Sequence, residues 1–334
     1  MAQRIRLIGR IAVFLAVGFL APQMTNAAGQ GFSLHAKPVM ERGSQGAWSA
    51  SFIDPGAMTI HDGKFHMMFD ALPKWPHPLA IGYASSEDGI NWVKESDGPV
   101  LTAEDTGLDV KSIMANSMLV TDEGQWVLYF TLVDPEKHFV GKIARATAPS
   151  PLGPWTTDPE PVLEPGPEGA WDGKYVGNAS VVQSDEGYRM YYTGTGKYEV
   201  GAFTEEHDNI GMATSPDGIT WTKHDGPVFQ ISDVENAWDS WSLTETSVQK
   251  TNDGWAMVYR GTSFNTTGQL GLAMSDDGIT WRRAGDGPII ATPDIHKKIY
   301  FVTYLRDGDQ DFIYFEAGST AGTDIYLATR QHIF

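Results

Sequence analysis

The sequence predicts an all-β chain: a five-bladed β-propeller with four antiparallel strands per blade, its ring closed by an N-terminal strand. Two observations carry this. The turn SPDGITW at 215–221 returns as SDDGITW at 275–281 and as SSEDGINW at 85–92, with a variant SPLGPW at 150–155. Trp92, Trp155, Trp221 and Trp281 therefore close four similar units, 63, 66 and 60 residues apart, and self-similarity at such a period marks a repeat architecture. The second observation is that every unit has the same internal order of short β-branched or aromatic runs separated by Asp-Gly turns, the pattern of successive hairpins.

The elements follow in order. Each unit opens with a strand such as ASVVQ (179–183) or TSVQK (246–250). A polar turn comes next: HDGK at 61, DEGQ at 122, DEGY at 185, NDGW at 252. The second strand is aromatic and Met-rich: FHMMF, WVLYF, YRMYY, WAMVY. The third is small-residue: IGYAS, KIARA, IGMAT, LGLAM. The DGI-x-W turn leads to a fourth strand ending in GPV or a variant, and the Trp is assigned to packing between neighbours. Four antiparallel strands repeated radially describe a propeller blade. A fifth unit supplies YFVTYL, DFIYFEAG and DIYLATR from Tyr300 onward but no fourth strand. The segment LHAKPVM (34–40) resembles one and is expected beside the last blade, which would leave no long exposed edge.

Residues 1–28 read as a signal peptide: Arg4, Arg6 and Arg10, an apolar run from Ile11 to Leu20, then small residues in TNAAG. The expectation is a secreted or periplasmic protein, with residues 29–334 as one propeller domain. The chain has no cysteine, which removes disulfides and thiolate metal sites. The formal net charge is −18, and more negative still without a leader that carries arginines and no acid. Such a surface argues against nucleic acid as a partner. No stretch after the leader is long and apolar enough for a spanning helix, so no membrane contact is expected once it is cleaved, and the chain is expected to be a monomer.

Functional residues are expected where a repeat departs from itself. Counting back nine residues from the hairpin glycines Gly63, Gly124, Gly187 and Gly254 gives Asp54, Ala115, Asn178 and Glu245. At the start of the channel-lining strands these would ring one mouth, with carboxylates from the first and fourth units. Carboxylates in an apolar β pattern are costly unless solvated or paired. Two of them across a concave site are what glycosidic-bond cleavage uses: one protonates the leaving oxygen, the other activates water or attacks the anomeric carbon. Trp75, Tyr198 and Phe264 lie in loops on the same side, where rings could stack on sugars. Arg260 ends the second strand of the fourth unit and could bind a substrate hydroxyl or hold Glu245.

On these residues the chain resembles the five-bladed propeller glycoside hydrolases of families 43 and 62, 32 and 68 and their relatives, family 43 most closely. FIDPGAMTIHDGKFHMMF (52–69) resembles the family 43 first-blade motif, and the resemblance places the base on Asp54. LTETSVQKTNDGWAMVY (243–259) resembles the segment holding the family's acid, which falls on Glu245. The third acid of these families has Asn178 at the matching place. Asp172 in EGAWDGKY is the first alternative and Asp109 a weaker one. The resemblance implies an exported hydrolase of arabinose- or xylose-containing glycans, inverting, with a carbohydrate substrate. It requires no cofactor and no metal, although related enzymes sometimes hold a structural calcium in the channel. Two alternatives stand beside it: a retaining fructan hydrolase or transferase, which FIDPGA fits poorly, and a non-catalytic carbohydrate-binding propeller, for which Asn178 argues. WDSW (238–241) is similar to a levansucrase nucleophile motif but falls in the wrong unit.

Overall fold

The computed structural model describes residues 30–331 and the pair Thr25–Asn26, apart from 75–76, 134–140, 201–202 and 265. The remainder of the leader and Trp75 lie outside the described residues. The chain is nearly all β; among the described residues the helical pieces are the single turns Glu104–Thr106 and Thr292–Ile295.

Each repeat forms one antiparallel sheet. The first comprises Phe52–His61, Lys64–Leu72, Ala80–Ser86 and Val93–Lys94; the second Ser112–Val120, Trp126–Val133, Lys142–Ala148 and Thr156–Thr157. The third comprises Tyr175–Ser184, Gly187–Val200, Phe203–Ser215 and Thr222–Lys223; the fourth Ser242–Thr251, Gly254–Thr262, Gln269–Ser275 and Arg282–Arg283. One parallel bridge, Asp208 to Ser242, joins these two sheets. The last repeat has Lys298–Asp307, Gln310–Ser319 and Gly322–Gln331. Against its outer strand lies Ser33–Leu34, in register Ser33 with Thr329 and Leu34 with Ala328, and Met40 bridges Ile325.

The cores lie between sheets, one cluster at each junction, built from the alternate apolar residues of the second and third strands. The recurrent turn explains itself here. In each copy the Asp carboxylate accepts two backbone N–H bonds, from Ile90 and Asn91, from Ile219 and Thr220, and from Ile279 and Thr280. Backbone donors from Thr220 and Ile219 hold Asp217 down to about 2, and those from Thr280 and Ile279 do the same for Asp277. The turn glycine then receives a tyrosine hydroxyl from the preceding sheet: Tyr129 donates to Gly218 O at 2.7 Å, Tyr191 to Gly278 O at 2.8 Å and Tyr314 to Gly89 O at 2.7 Å. The Trp stands edge-on to the same ring, with centroids 5.7 Å apart for Trp92 and Tyr314, 6.0 Å for Trp221 and Tyr129, and 5.6 Å for Trp281 and Tyr191. Each edge-to-face pair adds about 0.5–1.5 kcal/mol beyond its area. Tyr314 and Gly89 belong to the last and first repeats, and Thr303 Oγ1 likewise donates to Gly56 O at 2.8 Å.

Candidate active site

All five first strands carry a bulge at the same end, between Asp54 and Ala57, Ala115 and Ser117, Gly177 and Ser180, Thr244 and Ser247, and Ile299 and Val302. A bulge re-aims side chains and locally ends pairing. The pairing also corrects the hairpin ruler. Gly63 is the second residue of its turn, whereas Gly187 and Gly254 are the first residues after theirs, facing Ser184 and Thr251. In true register Asp54 therefore matches Gly177 and Thr244, one residue before Asn178 and Glu245. A slip of one residue would send a side chain to the opposite face. The bulges compensate, because Asn178 and Glu245 sit inside them at φ 52° and 51°. The left-handed backbone costs a non-glycine residue roughly 1–2 kcal/mol.

The outcome is that Asp54, Asn178 and Glu245 line one small cavity with Ala115 and Phe301. Two larger lobes open from it and share Met114, Val133 and Phe301. One, of about 460 Å³, holds Asp54 and Glu316 among Phe52, Leu72 and Leu79. The other, of about 300 Å³, is more polar and holds Glu245, Asn178, Asp208, Thr193 and Lys174. The Asn178 amide donates from Nδ2 to Glu245 Oε1 at 2.9 Å, and the Asn178 N–H donates to Thr131 Oγ1 at 3.0 Å. Asn178 thus stands where a third acid was expected and offers Glu245 a neutral donor.

Burial, the neighbouring Asp54 and Asp208 charges, and only partial relief from Arg260 push the Glu245 carboxyl well above its ordinary value. Arg260 is itself held by Ile299 O at 3.2 Å and Thr244 Oγ1 at 3.3 Å, so it stands behind Glu245. Burial raises Asp54 to about 7, against the opposing pull of the Gly56 N–H at 3.1 Å and a bond with Asp70. Glu316 is raised as well, by burial and by the charges of Asp54 and Glu245.

Two site residues escaped the sequence reading. Asp70 is the cross-strand partner of Asp54, and Glu316 shares its lobe. The signal was present six residues along the second strand, counted from its first paired residue: Asp70, Thr193, Arg260 and Glu316 occupy one position in four sheets, and Thr131, five residues along, serves in the second. Counted instead from Gly63, Gly124, Gly187 and Gly254, Arg260 falls level with Phe69, Phe130 and Thr193, which passes over Asp70. Three of these side chains fasten the bulge of the following sheet: Asp70 accepts from Ala115 N at 2.9 Å, Thr131 from Asn178 N, and Arg260 donates to Ile299 O.

Asp172 is not brought to the cleft. Its carboxylate accepts from Lys223 Nζ at 2.6 Å and Tyr192 OH at 3.1 Å, while Trp171 stacks on Tyr192. Asp239, inside WDSW, repeats this arrangement with Arg283, Tyr259 and Trp238. Trp48, Ser49 and Phe69 form an uncharged third version. Asp109 is exposed in a bend away from the lobes. Phe264 is 79% exposed and packs edge-on against Trp241. Tyr198 lies in the long hairpin of the third sheet. Among the described residues no group of three or more metal-ligating side chains is found.

No family model matches the chain. A 1,2-beta-oligomannan phosphorylase of Thermoanaerobacter sp. (strain X514) is 23% identical over 250 residues, 73% of this chain and 75% of that protein. Among solved structures, a thermostable family-43 glycoside hydrolase superposes with a TM-score of 0.64 at 16% identity, covering 86% and 92% of the two chains. A structure described under the GH130 family of mannoside phosphorylases, which contains hydrolases that target beta-1,2 mannosidic linkages in Candida mannan, gives 0.65 at 19% identity, covering 94% and 95%. The fold is that of the propeller-type glycosidases.

Proposed function

We propose that the chain is an exported enzyme that cleaves glycosidic bonds by hydrolysis, a five-bladed ring over residues 29–334 closed by the strand at Ser33–Leu34, with Asp54 as base and Glu245 as acid. The observation that carries this reading is the meeting of Asp54 and Glu245 in one cavity with different environments. Asp54 receives hydrogen bonds that favour its ionised form, while Glu245 is held protonated by burial. Different environments on two facing carboxyls give the acid and base assignments. Asp54 accepts the proton of a water attacking the anomeric carbon as Glu245 protonates the departing oxygen, which yields the inverted product. Arg260 stabilises the carboxylate that Glu245 becomes on giving up its proton, and solvent then returns a proton to Glu245 as Asp54 releases the one it took.

The substrate class that we favour is a mannoside, on the strength of the mannan-directed relatives. It stands ahead of the arabinose- or xylose-containing glycans that the sequence pointed to. Phosphorolysis is the second reading, favoured by the name of the relative in the sequence comparison. The lining opposes it: Lys174, the lysine that lines the polar lobe, is already paired with Glu206 at 2.5 Å and stands beside Asp208. A phosphate dianion would find that cation already neutralised.

The test is a panel of β-1,2-mannooligosaccharides, arabinan, arabinoxylan and fructans, each with and without inorganic phosphate, with product anomers read by NMR. Phosphate-independent release of an inverted sugar from a mannoside is the expected result. A sugar 1-phosphate formed only with phosphate present establishes phosphorolysis. Retention of configuration excludes the assigned roles, and binding without turnover identifies a carbohydrate-binding propeller.

A further inference from the structure

Asp54 and Asp70 face each other across the first two strands, 4% and 1% exposed. Asp54 Oδ1 takes the Gly56 N–H, Asp70 Oδ1 takes the Ala115 N–H, and the two carboxyls interact with each other. Asp70 Oδ2 is buried and receives no donor from the protein. The charged groups acting on the pair are also acidic: Glu245 on Asp70 and Glu316 across the lobe from Asp54. Arg260 acts on Glu245 and Glu316, and His77 and Tyr300 line the lobe farther out. Two carboxylates in contact without a cation cannot both be ionised. The fold needs only one acceptor here, because Thr131 fastens the next bulge from the equivalent place with a single hydroxyl oxygen. The second oxygen of Asp70 is surplus to that task.

We propose that Asp70 stays protonated and donates its Oδ2–H to the Asp54 carboxylate, as a positioning residue that sets when Asp54 ionises. The proton stays on Asp70 throughout; Asp54 is the member that gains and loses one. The role in setting a catalytic base rests on the function proposed above, whereas the location of the proton does not. The experiment therefore reads the proton without a substrate. The full chain labelled with ¹³Cγ-aspartate is titrated from pH 5 to 9 by carboxyl ¹³C NMR, as wild type, Asp70→Asn and Asp70→Ala, with Asp54→Asn assigning the Asp54 signal.

The expected result is one aspartate that remains protonated above pH 8 in the wild type and is missing from Asp70→Asn. The amide reproduces both the donor and the acceptor of the neutral acid, so the Asp54 midpoint should move by less than about half a pH unit. Asp70→Ala removes the donor and should raise that midpoint by about one to two units, the equivalent of one hydrogen bond to a charged group. The proposal is overturned if no aspartate stays protonated above pH 7, or if Asp70→Asn lowers the Asp54 midpoint by a unit or more, which would mean that Asp70 had carried the charge. An unchanged midpoint in Asp70→Ala overturns it too. Should that variant fail to fold for want of the Ala115 bond, Asp70→Asn decides alone. Loss of glycosidase activity in every protein would count against the proposed function and leave the titration standing.

Discussion

At the scale of single residues, the acids at the mouth are raised by burial rather than lowered by partners, and this has two measurable consequences. With Asp54 raised to about 7 and Glu245 well above its ordinary value, activity should climb as pH rises through about 7, where Asp54 ionises, and fall where Glu245 loses its proton. Asp54→Asn should lower turnover by about 10²–10⁴-fold, the scale of one positioned proton-transfer group. Glu245→Gln should suffer most with poor leaving groups and least with an activated aryl glycoside. The second consequence concerns stability. Asp54 binds its proton more tightly folded than unfolded, so its contribution is greatest below about 4 and is lost as pH rises toward 7. Replacing it with Asn should leave melting temperature nearly unchanged at pH 4 and raise it at pH 8. A calorimetric series showing the opposite trend would mean that Asp54 is stabilised as a carboxylate.

At the scale of strands and turns, the same residue type serves two ends. Asp172 and Asp239 belong to the Trp-Asp-Tyr sets that fasten the loops before the first strands of the third and fourth sheets. Asp172→Asn should therefore cost about 1.5–3 kcal/mol of stability, the range for hydrogen bonds to charged groups, with turnover per folded molecule unchanged. Chemical denaturation paired with initial rates checks both halves. These sets also mark what the sequence could and could not disclose. The repeat, its hairpins and the packing role of Trp92, Trp221 and Trp281 were legible because turn chemistry and strand period are local. Asp54 and Glu245 were found by a count that was one residue out in two units, and both reach the cavity because bulges restore the side. Asp70 and Glu316 were hidden by the same slip, since each reads as one acid closing an aromatic strand until the register is known. The burial that sets their pKa values depends on neighbouring sheets and has no local signature. Asp172, by contrast, looked available only because its partner Lys223 lies in another strand of the unit.

At the scale of the whole molecule, the junctions between sheets draw on two devices: a tyrosine and a tryptophan at the far end of three of them, and a polar side chain fastening the next bulge in three, with both at the junction of the second and third sheets. The last and first repeats share the first device through Tyr314 and Gly89. Removing residues 30–41 takes away the pairing of Ser33, Leu34 and Met40 and exposes the edge of Gly322–Gln331. Such a variant should melt earlier than the intact chain and aggregate through that edge, which light scattering during a thermal ramp would register. The register of Ser33–Leu34 against this strand has a mechanical consequence as well. Ser33 faces Thr329 and Leu34 faces Ala328, so the chain enters and leaves at the same end of the two strands. Tension applied through the two termini would peel their hydrogen bonds one after another instead of shearing them together. The seam would open at low force as the first event of extension, while the four other sheets, loaded only afterwards, would still be intact.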